Sequence, residues 1–458
     1  MNVVVVGTGY VGLTTGVGLA YIGHQVMGVD KDPQKLEKLR RFESPIHEPG
    51  LEELLRLVPD RLRFTDNLDA VADADLILIA VGTPPKSNGN ANTRYVETAA
   101  REVAKAMRPG GTYTVVVKST VPIGSNRRVA HVIDRTVRER GIKATVHVAS
   151  NPEFLREGTA LYDMLYPDRI VVGADAPEAV ETLRRLYRPI LEQSFPIPEF
   201  LPRPESRPLP PFITTDPISA ELIKYAANAF LALKISFINE IAGLCEKVGA
   251  DVRDVARGIG TDSRIGPRFL AAGLGWGGSC FPKDTAALSA VGQEYGYDMP
   301  IVEAARMVNQ RQRQRLVDKL QELLKGVRGR TVGILGLAFK PGTDDVRESP
   351  ALELVRLLLE RDAHVRVHDP VALANAQNAL AAMVGVEDVS EVEFCHDPYE
   401  MAVGADALVL ATEWPDYREL EFDKLARAMR NPVLVDGRNF LPEEAVRAAG
   451  FVYQGVGR

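Results

Sequence analysis

The sequence begins with the pattern that most restricts its fold, a short apolar strand that runs directly into a glycine-rich turn. Residues 2–6 form a β-branched run typical of a buried parallel strand, and Gly7-Thr8-Gly9-Tyr10-Val11-Gly12 leads from it into a helical stretch. Here the first glycine permits a tight turn, the second lets a pyrophosphate approach the helix N-terminus, and the third allows close helix–strand packing. The pattern predicts a doubly wound, Rossmann-like α/β domain that binds a dinucleotide.

A carboxylate after the second predicted strand indicates which dinucleotide is bound. The strand at 25–29 is followed by Asp30, which would accept hydrogen bonds from a ribose 2′-OH and repel a 2′-phosphate. NAD is therefore favoured over NADP, although the adjacent Lys31 weakens that preference.

Length and composition favour an enzyme of two or three domains. The chain has 458 residues, 45% of them hydrophobic, and its net charge of −6 argues against a nucleic-acid surface. Continuous apolar runs stay short of the roughly 20 residues of a membrane span, and the N-terminus resembles a core strand and not a signal peptide. Cys245, Cys280 and Cys395 are widely spaced and lack metal-ligand spacing, which predicts reduced thiols, no metal and a cytoplasmic location.

Strand and helix patterns alternate as far as about Pro189, and two predicted strands end in polar residues. The strand at 75–81 is followed by Gly82-Thr83-Pro84, and the strand at 114–120 ends in Lys-Ser-Thr. In an open parallel sheet, such strand ends face the ligand crevice. Residues 189–217 are rich in proline, which predicts an extended surface excursion and no folded element.

One long helix is predicted after the proline-rich segment, at 219–248, with apolar residues at helical spacing. Asp216 or Ser219 would cap its N-terminus. Lys224 and Asn228 are four residues apart and share one face of this helix. Taken alone, the pair favours a solvated stripe.

The C-terminal third repeats the design of the N-terminal part. Residues 330–336 resemble the opening strand and turn without the complete glycine pattern, and residues 405–412 echo residues 74–81. We therefore expect two Rossmann-like doubly wound domains joined by a long central helix. The second domain would have lost dinucleotide recognition.

Cys280 lies in the glycine-rich segment Gly-Trp-Gly-Gly-Ser-Cys-Phe-Pro-Lys-Asp at 275–284. Glycines permit close backbone approach, and a nearby ammonium such as Lys283 favours the thiolate that attacks carbonyl groups. The alternative is a small buried hydrophobe in a turn before a helix. The segment alone leaves both interpretations open.

Many motifs in order resemble the UDP-glucose 6-dehydrogenase family, within the nucleotide-sugar dehydrogenases that oxidise a C6 alcohol to a carboxylate. The resemblance runs nearly end to end, and only the proline-rich segment is longer than expected, with no role assigned. It rests on the segments 7–12, 48–51 (EPGL), 82–84 (GTP), 118–122 (KSTVP), 151–158 (NPEFLREG), 221–228 (ELIKYAAN), 264–266 (RIG), 275–284, 336–340 (GLAFK) and 436–438 (DGR).

This resemblance implies a four-electron oxidation that uses two NAD molecules in turn. Cys280 would hold the substrate as a thiohemiacetal and then as a thioester, which water hydrolyses. Lys224 and Asn228 would stabilise negative charge, Asp284 and Thr120 would position water or share the proton transfers, and Glu153 would assist the hydrolysis.

The resemblance also implies the binding residues. The cofactor set is Gly7, Gly9, Tyr10, Val11, Gly12, Asp30, Lys35, Thr83, Thr120, Glu157, Lys283 and Arg347. The substrate set is Glu153, Phe154, Leu155, Lys224, Asn228, Arg264, Gly277, Phe339, Lys340 and Arg438. Arg264 would reach the substrate of a neighbouring subunit, which together with the apolar surface of the long helix implies a homodimer.

The implied domains are an NAD-binding domain at 1–212, a central helical dimerisation and catalytic domain at 213–315, and a UDP-sugar-binding domain at 316–458. UDP-glucose is the favoured substrate, and GDP-mannose or a UDP-N-acetylhexosamine is the alternative. A catalytically silent nucleotide-binding scaffold is a further alternative, against which the retention of Cys280, Lys224, Asn228 and Asp284 argues.

Overall fold

The computed structural model describes residues 1–86, 89–205, 207–385 and 389–458. The chain divides into two compact units, Met1–Ala227 and Asn228–Arg458. Each unit is built around one β-sheet, with eight strands in the first unit and six in the second.

The N-terminal unit contains an eight-stranded sheet in the order β3-β2-β1-β4-β5-β6-β7-β8. The pairs are parallel except for β6 with β7, which run antiparallel. The strands are β1 Asn2–Val6, β2 Gln25–Val29, β3 Leu62–Thr65, β4 Leu76–Ile79, β5 Thr112–Val117, β6 Thr145–Ser150, β7 Ile170–Ala174 and β8 Phe212–Thr215.

Helices cover both faces of this sheet, which explains why all of β4, and β1 after Asn2, are apolar and buried. Val3 and Val5 of β1 pack into one apolar cluster, whereas Val4 and Val6 pack into the other. The helices are α1 Tyr10–Tyr21, α2 Pro33–Arg40, α3 Leu51–Arg56, α4 Arg94–Ala106, α5 Ser125–Glu139, α6 Ala160–Leu165 and α7 Pro177–Glu192, with a 3₁₀ segment at Asp69–Asp73.

The prediction of an unfolded excursion over 189–217 is wrong at both ends. Pro189 lies inside α7, where buried Leu186 and Ile190 hold the last turn against the core, and Phe212–Thr215 forms β8 beside β7. The prolines end just before β8, so each residue of that strand keeps its backbone N–H. The described residues between Gln193 and Pro211 form neither helix nor strand, and position 206 lies outside the described residues.

The long helix, α8, spans Pro217–Val248 and therefore begins two residues earlier than predicted. Its cap is Asp216, whose Oδ1 accepts a hydrogen bond from the Ser219 amide at 2.9 Å. Proline is tolerated in the first turn because its missing N–H would have no helical partner there. By length and composition α8 is apolar enough to cross a membrane, since its most apolar 18-residue segment has a mean hydropathy of 1.3. Core helices of soluble proteins also meet this criterion, and 44% of that segment is buried inside the protein.

The C-terminal unit contains a six-stranded, all-parallel sheet in the order β11-β10-β9-β12-β13-β14. This order repeats that of the first six strands of the N-terminal sheet, so the prediction of two doubly wound sheets of related design is confirmed. The strands are β9 Thr331–Leu335, β10 His364–His368, β11 Val392–Phe394, β12 Ala407–Leu410, β13 Val433–Asp436 and β14 Val452–Gln454. The finer three-domain division stays a prediction.

The remaining helices belong to this second unit. Buried Cys245 and Cys395 are part of its apolar core, as expected for structural cysteines, and burial raises the pKa of the Cys395 thiol to about 11. The helices are α9 Val252–Gly260, α10 Phe281–Glu294, α11 Pro300–Leu324, α12 Pro350–Leu359, α13 Leu373–Val384, α14 Pro398–Ala402, α15 Phe422–Ala428 and α16 Glu443–Ala448, with a 3₁₀ segment at Pro415–Arg418.

Candidate active site

The turn between β1 and α1 has the geometry of a dinucleotide-binding turn. Gly7 has φ +95° and its N–H donates to the Val29 carbonyl at 2.8 Å. A Cβ added to Gly12 would lie 1.8 Å from the Gly7 carbonyl oxygen, so the helix meets the turn too closely for any side chain. Among the described residues, no heavy atom lies within 4 Å of a Cβ built on Gly9, which leaves this backbone open to a pyrophosphate.

Asp30 ends β2 beside this turn and is held as a carboxylate. Its Oδ2 accepts from the Thr8 amide (2.9 Å) and hydroxyl (2.7 Å), its Oδ1 accepts from the Asp32 amide (3.0 Å), and Lys35 lies 4.0 Å away. Burial raises the pKa of Asp30, but these hydrogen bonds and the charge of Lys35 outweigh it, so the net pKa lies below its usual value. The side chain remains 14% exposed, which fits recognition of a ribose hydroxyl.

Tyr10, in the first turn of α1 next to half-buried Val11, joins the glycine turn to the loop at 151–158. Its hydroxyl donates to the Glu48 carboxylate, and the Gly158 amide donates to both Tyr10 Oη and Glu48 Oε2 at 2.7 Å. Glu48 Oε1 also accepts from the Ala160 amide at the start of α6, at 2.6 Å. Sequence analysis assigned no role to Glu48, although its EPGL segment was part of the resemblance.

The polar segments that follow β4 and β5 lie side by side, because the two strands pair in parallel. The Thr83 hydroxyl donates to the Thr120 carbonyl at 2.8 Å, and the Ser119 hydroxyl donates to the Val81 carbonyl at 2.6 Å. Both threonines therefore stand at the carboxyl edge of the sheet, where ligands of doubly wound folds bind.

Glu153 and Lys224 form a buried ion pair, with 2.9 Å between Oε1 and Nζ and each side chain 5% exposed. The Leu155 amide donates to Glu153 Oε2 at 2.7 Å. Burial raises the pKa of Glu153, but Lys224, the Leu155 amide and the charge of Lys118 outweigh it, so the carboxyl has a pKa below its usual value. A charged carboxylate and a charged ammonium are therefore fixed together.

Lys118 is a third charged group of this cluster that sequence analysis left without a role. Its Nζ donates to Asn151 Oδ1 at 3.1 Å, and the Tyr187 hydroxyl donates to the same oxygen at 2.6 Å. Burial lowers the pKa of Lys118 to about 8, Glu153 opposes this shift, and Lys224 adds to it. Lys118 and Asn151 both belong to the motifs of the resemblance, so their positions were visible and their connection was not.

Phe154 and Glu157 occupy the same loop as Glu153. The Phe154 ring lies under the Arg169 guanidinium at 3.7 Å and 5.4 Å from Lys224 Nζ. Glu157 is half-buried and precedes Gly158, which has φ +80°. The loop therefore gathers Glu153, Phe154, Leu155 and Glu157, which the resemblance placed at the substrate and the nicotinamide.

In the C-terminal unit, Cys280 is the N-cap residue of α10 and is partly exposed. Its carbonyl accepts from the Asp284 amide at 2.8 Å. Asp284 is fully buried, and its Oδ2 accepts a hydrogen bond from the side-chain amide of Asn228 at 2.6 Å. Its Oδ1 forms an ion pair with Lys283. The start of a helix favours negative charge, and Cys280 lies at that end of the 14-residue α10.

The glycines before Cys280 are shaped by the loop that follows β9. Gly278 has φ +83° and donates to the Arg347 carbonyl at 3.0 Å, and a Cβ on it would lie 2.7 Å from the Phe339 ring. A Cβ on Gly277 would lie 2.1 Å from the Glu348 carbonyl oxygen. The cysteine turn and the β9 loop therefore pack together without intervening side chains.

The basic residues assigned to substrate and cofactor differ in how they are held. Arg438 is part-buried and donates to the Ala411 carbonyl at 2.7 Å and the Gly275 carbonyl at 3.1 Å, and Lys340 lies 5.3 Å from the Phe339 ring. Arg347 and Arg264 instead pair on the surface, each with an aspartate two residues earlier. The structure thus gathers Phe339, Lys340, Gly277 and Arg438 around the Cys280 turn and leaves Arg264 exposed.

Family models match along the chain. The NAD binding domain of the UDP-glucose/GDP-mannose dehydrogenase family matches residues 1–191, the family's central domain matches residues 218–311, and its UDP binding domain matches residues 333–443. The NAD description falls on the unit with the complete glycine turn, and the UDP description falls on the unit with the incomplete one. The predicted NAD cofactor is thereby confirmed.

Individual proteins match over their whole length. UDP-glucose 6-dehydrogenase of Pseudomonas aeruginosa is 45% identical over 463 residues, covering 100% of this chain and 98% of that protein. The solved UDP-glucose dehydrogenase of Pyrobaculum islandicum is 42% identical with a TM-score of 0.85, covering 100% and 97%. The UDP-D-ManNAc dehydrogenase of Pyrococcus horikoshii is 27% identical with a TM-score of 0.83, covering 100% and 99%. The chain belongs to the UDP-glucose/GDP-mannose dehydrogenase family of NAD-dependent oxidoreductases.

Proposed function

We propose that this enzyme oxidises the C6 alcohol of UDP-glucose to the carboxylate of UDP-glucuronate, with Cys280 as a covalent nucleophile. The observation that carries the proposal is the placement of Cys280 at the start of α10, one turn before a buried Asp284 that Asn228 and Lys283 hold. In balance, the alcohol, two NAD⁺ and one water give the carboxylate, two NADH and three protons.

The residues of the N-terminal unit fit NAD. The open backbone at Gly9 suits the pyrophosphate, and Asp30 suits the ribose hydroxyls while opposing a 2′-phosphate. Thr83, Thr120 and Glu157 are assigned to the nicotinamide end of the site because they lie at the carboxyl edge of the sheet or in the loop at 151–158. When bound, NAD accepts the hydride in each of the two oxidation steps.

In the first oxidation, this chain's task is to remove the hydroxyl proton and stabilise the alkoxide. Lys224 and Asn228 supply an ammonium and an amide donor for the oxygen, and Asp284 and Thr120 order the water or hydroxyl groups through which the proton leaves. The charge of Lys224 is retained because Glu153 pairs with it in a buried setting.

In the second half, the thiolate of Cys280 adds to the aldehyde carbon and the carbonyl oxygen takes a proton. Oxidation of this thiohemiacetal leaves a thioester on the same sulfur. Water then attacks the thioester carbon, with Glu153 as base or orienter, and the carbon–sulfur bond breaks to release the carboxylate. Since the aldehyde stays bound to sulfur, it does not escape between the two oxidations.

UDP-glucose is favoured over other nucleotide sugars because the relatives with that name are the more similar ones. Their identities of 42% and 45% exceed the 27% of the UDP-D-ManNAc dehydrogenase, although both kinds share the fold. A uracil edge read by fixed hydrogen bonds would reject guanine strongly, whereas hexoses differ by single hydroxyl groups. We expect clear preference for UDP over GDP and weaker preference among UDP-hexoses.

A homodimer in the cytoplasm completes the proposal. Three large apolar side chains of α8 recur every seven residues and are exposed: Phe230, Phe237 and Leu244 are 62%, 47% and 58% exposed. Such a stripe matches a copy of itself in a two-fold interface. Arg264, whose side chain is 86% exposed, would then serve the neighbouring subunit.

The test is to incubate the purified protein with NAD and UDP-glucose, UDP-N-acetylmannosamine or GDP-mannose while following reduced cofactor. We expect two NADH per sugar acid and the highest kcat/KM with UDP-glucose, and a dimer or a multiple of one by light scattering. A higher kcat/KM with either competitor overturns the substrate assignment, and silence with all three favours the scaffold alternative.

A further inference from the structure

Glu221 lies on α8, one helical turn before Lys224, and its buried carboxylate reaches across to another helix. Its Oε2 accepts from the Gly124 amide at 2.6 Å and its Oε1 accepts from the Asn126 amide at 2.7 Å. The residue is only 4% exposed. The reaction steps proposed above make no use of this carboxylate.

The two amides belong to the N-terminus of α5, which has no cap of its own. Gly124 is the N-cap residue, with φ +86°, and as a glycine it has no side chain to accept the unpaired N–H groups of the first turn. Glu221 supplies that cap from α8, and the helix end in turn favours its negative charge.

The segment held in this way carries Thr120. At one end the Thr120 carbonyl accepts from the Thr83 hydroxyl at 2.8 Å, and at the other end Gly124 is bonded to Glu221. Val121 between them is buried in the apolar core. The short segment 120–124 is therefore fixed at both ends, and one of the two anchors is the helix that carries Lys224.

We propose that Glu221 is a positioning residue of the dehydrogenase reaction, which sets the segment bearing Thr120 against the helical turn bearing Lys224. The inference rests on the proposed function, because Thr120 and Lys224 owe their roles to it. Glu221 touches neither substrate nor cofactor in this scheme and acts through those two residues. Its loss should therefore lower kcat and leave KM nearly unchanged.

The protonation state of Glu221 gives this role a signature that a simple helix cap lacks. Burial raises the pKa of Glu221 to about 7, against the opposing effects of the two amides and of Arg127 on α5, while Asp216 before α8 adds to the rise. The ionised form accepts both N–H groups, whereas protonation turns one oxygen into a donor facing an amide. The activity of the wild-type enzyme should therefore fall as the pH falls through about 7.

The experiment compares Glu221→Gln and Glu221→Asp with a matched control, Glu246→Gln, in the full-length enzyme. Glu246 is also on α8, accepts from the Gly457 amide at 2.7 Å and pairs with Lys319, but it lies outside the proposed machinery. In Glu221→Gln we expect kcat to fall about tenfold or more, while KM for UDP-glucose and NAD stays within about twofold. The descending limb of the pH–activity profile near pH 7 should disappear in this variant. Glu221→Asp should keep the loss of activity at low pH but shift its midpoint, and Glu246→Gln should lower only the melting temperature.

A Glu221→Gln enzyme with a lower melting temperature but the kcat and pH profile of the wild type overturns the inference. This is the result expected if Glu221 only caps α5. If Glu221→Gln does not fold, the wild-type and Glu221→Asp profiles decide: a limb near pH 7 that moves in Glu221→Asp supports the role, and its absence or immobility contradicts it. A wild-type enzyme inactive towards all three nucleotide sugars would instead refute the proposed function.

Discussion

The two sheets of this chain share a strand order and diverge at the turn after their first strand. Gly7 after β1 and Gly336 after β9 have φ values of +95° and +94°, and each donates its N–H to the carbonyl that ends the neighbouring strand at 2.8 Å. Beyond this glycine the N-terminal chain enters α1 at Tyr10, whereas the C-terminal chain forms a loop and enters α12 only at Pro350. A single shared glycine therefore marks a common architecture without fixing the ligand.

The two units also differ at the aspartate that follows the second strand of each sheet, Asp30 in the first unit and Asp369 in the second. Asp30 keeps a partly exposed carboxylate, whereas Asp369 is 2% exposed and its oxygens are occupied by the protein itself. Asp369 Oδ2 accepts from the Leu337 and Ala338 amides at 2.7 and 3.0 Å and from the Trp414 indole at 3.1 Å. The corresponding carboxylates therefore differ in use: Asp30 is proposed to bind ribose, whereas Asp369 braces the loop of its own unit.

Replacement of the third glycine of the N-terminal turn should have the largest effect on NAD binding. Gly12→Ala places a Cβ 1.8 Å from a backbone oxygen, so the turn must open, and we expect NAD affinity to fall at least about 100-fold. Calorimetric titration with NAD and with UDP measures this, and UDP affinity should remain, because its proposed site lies on the other turn. Equal loss of both ligands, or wild-type NAD affinity, would contradict the division of labour.

Asp369→Ala and Asp30→Ala test the two acids against each other. Removing Asp369 leaves several buried N–H groups unpaired, so the free energy of unfolding should fall by about 3 kcal/mol. Asp30→Ala should cost about 1 kcal/mol and narrow the preference for NAD over NADP about tenfold, because both the ribose acceptor and the repulsion are lost. Denaturant unfolding measures the stability of both variants, and kcat/KM with NAD and NADP measures their cofactor preference. A larger loss of stability in Asp30→Ala, or a changed cofactor preference in Asp369→Ala alone, would refute the roles assigned to the two aspartates.

The corresponding strands β5 and β13 also lead to different buried side chains: Lys118 directly follows β5, and Asp436 is the last residue of β13. Because the folded pKa of Lys118, about 8, lies below the usual value for lysine, its contribution to stability is present above the unfolded pKa and lost as the pH falls through about 8. Between pH 7.5 and pH 9.5 the free energy of unfolding of the wild type should therefore rise by about 2 kcal/mol relative to that of Lys118→Met. Denaturant unfolding at the two pH values measures it, with exposed Lys143→Met as the flat control; a constant difference would contradict the pKa assignment.

The glycine turn could be predicted from sequence because its constraints are local. Backbone φ, close approach and the acid at the strand end all follow from residues within one βαβ unit, and the structure confirms their geometry. The partners of Tyr10 and Lys118 could not be predicted, because Glu48 and Asn151 lie 38 and 33 positions away and only the fold brings them near. Strand β8 was missed because it is only four residues long and directly follows a run of prolines that ends at Pro211.

Asp369 escaped notice for a different reason. The missing glycines after Gly336 predict that dinucleotide recognition is lost, but a sequence pattern cannot show that backbone amides of the same loop occupy the Asp369 carboxylate. Burial decides between a ligand-binding acid and a structural one, and burial is a property of the folded chain.

The central claim is that Cys280 carries the substrate as a covalent intermediate. The measurement is the amount of sugar acid that Cys280→Ala makes from UDP-glucose and NAD, compared with the amount that the wild type makes. NAD affinity and melting temperature serve as controls and should be the same in both proteins. We expect the amount of acid to fall at least about 1,000-fold, because no thioester forms without the thiol. Sugar acid produced by Cys280→Ala at the wild-type rate would contradict the covalent mechanism.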